Sequence, residues 1–411
     1  MAGGKGGVRA RTAYMGFAAF GAFWGVWGAS VPAIRAQAEL GDGQLGTALL
    51  FVGAGALPAM LVTGRAVDRW GLRVAAFLLV TLGAVGTLVA VAGRDFWSLS
   101  AGLALLGASS GAADVAINAA AASAERASGR PVITRAHGTF SAMVVVGSLS
   151  AGLLLGGLGV PVVVPFLLVA AASAGAALAV AADRRTVSIA EDVVPGAAGA
   201  ARGRHVVRLF PLLVVGGLGA LAFAVENAHQ SWGAVYLADV ADAGPALASA
   251  GPAVFAAVVA LTRFAAGALG SRYVTVVLIS GAVTAAAGTL LVSGARSVPV
   301  VLLGLALAAA GTAVLFPTLM GVVAAQVGEA ARGRATSVVA TVAYLGFLAG
   351  PVYVGRWAET TGLSGAMVAV AALAVALAAL SWPALRTAVP TGSPWERADL
   401  HHAEKISGRT P

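Results

Sequence analysis

Two carboxylates in this chain sit where carboxylates are costly. Asp114 and Glu226 each lie deep within a long apolar stretch, whereas every other Asp or Glu falls in a polar segment, at the edge of an apolar one or in a tail. An ionisable group inside a membrane costs about 2.5 kcal/mol or more, so its first reading is functional. Proton exchange and polar-ligand binding are the chemistries open to it. Asn118 follows Asp114 by four residues and shares its helix face. His229 and Gln230 follow Glu226 closely and are read as a second polar face. Trp24 and Trp27, on the first apolar stretch, can stack on the ring of a solute. Each has a plainer reading beside it. The acids can be tied to Ser, Asn or backbone at a helix seam, His229 can be a seam residue, and the tryptophans can be packing or interface material. Asp114 is the first candidate for proton exchange and Glu226 the second. Asn118, His229, Gln230, Trp24 and Trp27 are the candidates for solute contact.

The stretches that carry these residues read as membrane spans. Of 411 residues, 59% are hydrophobic and 10% charged, against roughly 25% charged in a soluble domain. So large an apolar excess exceeds what a soluble core can hide, and lipid is the solvent that accommodates it. A membrane helix needs about 20 mostly apolar residues. Twelve such spans are expected, roughly 12–34, 44–64, 73–93, 97–122, 136–158, 160–182, 207–237, 245–268, 273–294, 297–320, 335–356 and 362–386. The basic N-terminal tail runs into the first span without a cleavage-site pattern, so that span is expected to be retained. The fold class expected is therefore an all-α membrane protein.

The basic residues follow the alternation of these spans. With the N-terminus inside, 22 of the 26 Lys and Arg fall in inner loops or tails, and only Arg35, Arg94, Arg296 and Arg356 fall outside. This is the positive-inside pattern. It places both termini and the central segment in the cytoplasm and the chain in the inner, cytoplasmic membrane. The net charge of +9 is thus spread over topology-setting loops, and no single patch suits nucleic acid. The chain also echoes itself: shifted by 199 residues, Arg135, Ala136 and Gly147 fall on Arg334, Ala335 and Gly346. The expected organisation is a six-helix half at 1–182, a cytoplasmic linker at 183–206, a second six-helix half at 207–386 and a cytoplasmic tail at 387–411.

The sharpest local pattern joins the second and third spans: Gly64, then Asp68-Arg69, Gly71 and Arg73, with Arg65 one residue in. An acid among the bases of an inner loop can cap a helix or pair at a helix–helix seam. This G-x-x-x-D-R-x-G-x-R spacing resembles the signature loop of the major facilitator superfamily. Asp114-Val115-Ala116-Ile117-Asn118, Arg135-Ala136-His137-Gly138 and Ser231-Trp232-Gly233-Ala234 are similar to a bacterial branch related to fucose permeases. The resemblance implies twelve helices in two pseudo-repeats and transport by alternating access. It makes Arg65, Asp68, Arg69 and Arg73 a conformational latch, which the second half, with Arg263 but no acid, repeats only in part. It also implies a central cavity lined by spans 1, 4, 7 and 10, three of which carry the residues singled out above. A fourth-span acid with a proton role in fucose permeases favours Asp114 further.

The expected function is proton-coupled movement of a small polar, sugar-like solute. The alternative is a proton antiporter that expels a drug or secondary metabolite. Such antiporters usually carry an Arg in the fourth span and Gly-Pro in the fifth, and both are absent here. An enzyme is not expected. Gly107-Ala108-Ser109-Ser110-Gly111 matches a hydrolase motif that requires a strand-to-helix elbow, yet it lies within an apolar helix. Lys5 and Lys405 are the sole lysines and both lie in the tails, so no phosphate-binding loop exists. With no Cys, and with His401-His402 in a polar tail, no metal site or cofactor is expected. The partners expected are the solute, protons and the bilayer, with the chain acting as a monomer.

Overall fold

The computed structural model describes residues 8–183, 209–266, 273–327 and 329–388. Every regular element in it is helical. The helices are α1 (Ala10–Gln37), α2 (Asp42–Trp70), α3 (Leu72–Ala92), α4 (Phe96–Ser128), α5 (Val132–Gly152), α6 (Val163–Ala182), α7 (Leu209–Val240), α8 (Pro245–Ala248), α9 (Ala250–Ala266), α10 (Val274–Gly294), α11 (Val298–Thr312), α12 (Leu315–Gln326) and α13 (Glu329–Ala388). A π-helical turn, Leu153–Gly157, ends α5.

Among the described residues, eleven helical segments are long and apolar enough to cross a membrane. α8 and α9 act as one such segment, and so do α11 and α12. The sequence reading predicts twelve. The difference lies in α13, whose 60 residues would extend about 90 Å at 1.5 Å per residue, three times a hydrocarbon core. Gly362 interrupts it with φ 72° and ψ 171°, a conformation open to glycine and strained for any other residue. The expected linker lies outside the described residues except for Asp183, and the expected tail except for the last residues of α13. Asp183 accepts from the Arg9 amide at 3.2 Å and from Thr12 Oγ1 at 2.8 Å.

Small residues bring the helices close. An added Cβ at Gly107 of α4 would lie 1.8 Å from the Val52 carbonyl of α2, and one at Gly147 of α5 would lie 2.5 Å from that of Ala22 in α1. At Gly346 of α13 it would lie 1.8 Å from the Ala220 carbonyl of α7. Lipid tails supply no hydrophobic drive between helices, so this close backbone packing holds the bundle together. Large side chains such as Phe77, Trp97, Leu178 and Phe264 point outward. Gly346→Val is therefore expected to abolish recovery of monodisperse protein from membranes, since the clash is with backbone and costs about 1–3 kcal/mol or more. Gly217→Ala, where an added Cβ meets open space, is expected to behave as wild type in the same size-exclusion measurement.

Asp95 caps α4, accepting from the amides of Trp97 at 2.8 Å and Ser98 at 3.0 Å. Hydrogen bonds from Ser98, first from its backbone and then from its side chain, hold the Asp95 carboxyl below its usual pKa. A group with a depressed folded-state pKa contributes stability above its unfolded pKa and loses it as pH falls through the folded value. Asp95→Ala should thus lower Tm at neutral pH, with the gap from wild type closing in acid. A gap that widens on acidification would contradict the cap.

Candidate functional site

α4 places Asp114 and Asn118 one turn apart. Asn118 Nδ2 donates to Asp114 Oδ1 at 3.0 Å and to the Asp114 carbonyl at 2.9 Å. Across from them, in α13, stands Tyr344, within electrostatic reach of Asp114. The Tyr344 ring lies 5.7 Å from Phe223 of α7 and 6.0 Å from Phe347. Phe223 in turn packs on Phe316 of α12 at 4.3 Å. An aromatic cluster from α7, α12 and α13 thus joins Tyr344, which Asp114 influences, to Phe223 on the helix that carries the second acid.

That second acid, Glu226, is buried one turn along α7 from Phe223. Gln230 Nε2 donates to its Oε1 at 3.1 Å. Arg263 Nη2 of α9 donates to Oε1 at 3.2 Å and Oε2 at 3.4 Å. The sequence reading counts Arg263 among loop residues. The structure corrects this: Arg263 lies within α9 with its guanidinium turned onto α7. The expected span 245–268 already contained Arg263, but counting bases by side of the membrane grouped this last-turn residue with the inner loop that follows.

His229 is expected to share the face of Glu226 and Gln230, but the structure turns it elsewhere. Its Nδ1 donates to the Val225 carbonyl at 2.7 Å, and its Nε2 lies 3.0 Å from Thr289 Oγ1 of α10. Its ring stacks on Phe255 of α9 at 5.8 Å. At 100° per residue, positions three and four after Glu226 fall on opposite sides of it, about 100° apart. Gln230 therefore stays with the acid while His229 fills a helix seam.

A small cavity of about 40 Å³ opens between α1, α2, α7 and α13. Trp24 and Trp27 line it, together with Asn227, Ser231 and Phe347. Asn227 Nδ2 donates to the Phe347 carbonyl at 2.6 Å, and its Oδ1 accepts from Ser231 Oγ at 3.1 Å. These two polar residues were not among the candidates: Asn227 sits beside Glu226 in sequence and drew no separate signal.

One end of the space between α1–α6 and α7–α13 is sealed. Arg35, at the end of α1, reaches Asp42 of α2 at 2.8 Å and Asp239 of α7 at 2.5 Å. Its Nε donates to the Leu40 carbonyl at 3.0 Å. Beside it, α2 presses on α13 so closely that a Cβ at Gly46 would meet the Pro351 carbonyl at 2.6 Å. Ser148 of α5 donates to the Ser249 carbonyl at 2.8 Å, joining the same two groups of helices. The α2–α3 turn lies apart from this seal and from the cavity. Arg65, Asp68 and Arg69 occupy the last turns of α2 and Arg73 the first turn of α3, all exposed, on either side of Gly71. The Arg69 guanidinium lies 5.4 Å from the Trp70 ring.

The family model for the Major Facilitator Superfamily matches this sequence over residues 12–350 and again over 234–406. The chain belongs to the major facilitator superfamily. Among its relatives, an uncharacterised transporter of Sinorhizobium fredii is 30% identical over 360 residues, covering 83% of this chain and 91% of that one. An uncharacterised MFS-type transporter of Yersinia pestis is 29% identical over 364 residues, covering 85% and 88%. Among solved structures, the nucleoside transporter NupG superposes with TM-score 0.70 at 15% identity, covering 92% of this chain and 98% of that one. A bacterial homologue of the human lysosomal transporter Spinster does so with TM-score 0.70 at 18% identity, covering 93% and 98%. At these identities the superpositions establish a shared fold. The superfamily member described here is a multi-pass membrane protein of a transporter family.

Proposed function

We propose that this chain is a proton-coupled carrier of small polar organic solutes in the inner membrane, working by alternating access between two six-helix halves, 1–182 and 207–386. The twelfth span is the part of α13 beyond Gly362. The matching close crossings, Gly147 on Ala22 and Gly346 on Ala220, support the repeat, since both pairs are related by nearly the same sequence shift. Basic residues put the Arg35 end outside, so the seal described above closes the outer entrance and both termini are cytoplasmic.

The observation that carries the reading is the placing of two acids within the spans, Asp114 half-buried and Glu226 buried. Asp114 from the first half lies within electrostatic reach of Tyr344, and Glu226 from the second lies one turn from Phe223, two members of one aromatic cluster. An acid near the bilayer midplane whose access alternates between the two sides can load a proton on one side and release it on the other. Asp114 is the coupling acid. Asn118, Gln230, Trp24 and Trp27 contact the solute, with Asn227 and Ser231 added from the cavity wall. Arg65, Asp68, Arg69 and Arg73 bias the equilibrium between states at the opposite end from Arg35.

The test is a thermal-shift screen of the purified protein against sugars, nucleosides, organic acids and antibiotics, because a ligand of the native state raises its stability by mass action. A stabilising solute is then offered to vesicles with an imposed pH gradient. Accumulation driven by inward proton flow is expected. A solute that binds and is never moved would make the chain a sensor. Expulsion under the same gradient would make it an antiporter.

A further inference from the structure

Arg263 is a guanidinium at the depth of Glu226, and its surroundings account for only part of it. α11 and α12 are separate helices because Pro317 has no amide hydrogen to give the carbonyl four residues back, which is that of Ala313. Arg263 Nε donates to that carbonyl at 3.1 Å. Nη2 is taken by the two oxygens of Glu226. Nη1 has no partner among the described residues, and the Arg263 side chain is 44% exposed while Glu226 is 10% exposed. His137 of α5, in the other group of helices, lies within electrostatic reach of Arg263. The proline-freed carbonyl thus fixes the guanidinium from behind and leaves its front edge available.

A rigid fork of parallel N–H groups matches a carboxylate or phosphate better than it matches a hydroxyl. Charge decides how such a group can enter. The Arg263–Glu226 pair is neutral as it stands. A further anion would leave an uncompensated negative charge in a low-dielectric site, which is costly. If Glu226 first takes a proton, its hold on Nη2 weakens and the solute's anionic oxygens replace it. The proton sits on Glu226, the solute carries the negative charge, Arg263 stays positive, and the site is neutral before and after. Gln230 remains a donor to the neutral acid. Among the described residues, the further titratable groups of the packed helices are His137 of α5 within reach of Arg263, His229 on another flank of α7, and Tyr344 of α13, itself within reach of Asp114 of α4.

We infer that the solute is an organic anion whose carboxylate or phosphate docks on Arg263 in exchange for the Glu226 carboxylate, the proton that Glu226 takes up neutralising the bound anion and adding to the one that Asp114 carries as the coupling acid. The inference rests on the carrier reading and narrows its substrate class.

Matched probes test it: glucuronate with glucose, nicotinate with nicotinamide, and uridine monophosphate with uridine. Each is added to the purified full-length protein, and Tm is followed at acid and at neutral pH. The acidic member should stabilise more than its neutral partner, and more strongly in acid. Arg263→Gln should weaken that binding by about tenfold or more, as expected for a lost charge-assisted pair. Glu226→Gln, which resembles the protonated acid, should bind the anions at neutral pH as well as wild type does in acid. If Arg263→Gln yields no folded protein, Glu226→Gln decides alone. Equal or exclusive stabilisation by the neutral partners overturns the inference and leaves the carrier reading standing. So does the absence of any shift with all three acids, or anion binding that Glu226→Gln weakens. Failure of the carrier reading shows separately, as binding without movement in vesicles.

Discussion

Arg35→Gln is expected to release the sealed end and shift the protein toward an outward-open state. Arg35 ties α1, α2 and α7 together, meeting Asp42 and Asp239 at once. Its side chain is 18% exposed, that of Asp42 19% and that of Asp239 44%. Hydrogen bonds to charged groups contribute about 1.5–3 kcal/mol, and the exposure of Asp239 calls for the lower end. A net loss of about 1–2 kcal/mol changes a two-state ratio by roughly five- to thirtyfold. Spin labels on the outer ends of α1 and α7 would read this as a longer distance distribution in the variant. Asp239→Asn should move the distribution the same way but less, because the amide oxygen that replaces the carboxylate can still accept from Arg35, whereas the Arg35–Asp42 pair joins helices of one group only. Unchanged distances in both variants would mean that the seal rests on the α2–α13 packing alone.

The second large effect concerns Asp114. Its contact with Asn118 is local to α4, so the carboxyl is not a tie between helices and its removal should spare the fold. Asp114→Asn keeps the volume and hydrogen-bonding capacity of the neutral acid. It should leave Tm within the range of ordinary surface changes, about 0.5 kcal/mol, while abolishing uphill transport. Asp114→Leu should also fold, since an apolar side chain in that position removes the burial cost of the acid. If Asp114→Leu failed to fold while Asp114→Asn transported normally, the acid would be structural.

Much of this was legible in the sequence because lipid imposes a simple rule: spans must be apolar and about 20 residues long. That rule located ten of the spans and both acids that lie within them. It blurred at α13, where hydropathy sees two apolar runs and the backbone continues as helix with a single break at Gly362. The site was legible where partners are close in sequence, as in the Asp114–Asn118 and Glu226–Gln230 pairs. It was illegible where they are distant. Arg263 reaches Glu226 across 37 positions and Arg35 reaches Asp239 across 204. No local spacing encodes either contact. His229 failed for a finer reason, since one residue of helical rotation turned it from the acid's face into a seam. The Ala313 carbonyl was foreseeable in principle, because a proline within a span frees the carbonyl four residues before it. What would bind that carbonyl depends on the packing of α9.

The central claim is that Asp114 couples proton and solute movement, and one paired measurement addresses it. Vesicles carrying Asp114→Asn are loaded with a solute that stabilises the wild type. Uptake is then followed under an imposed pH gradient and, separately, as exchange of labelled for unlabelled solute with no gradient. Exchange needs no net change of protonation, whereas accumulation does. The account predicts accumulation lost and exchange retained. Accumulation undiminished in Asp114→Asn would contradict it.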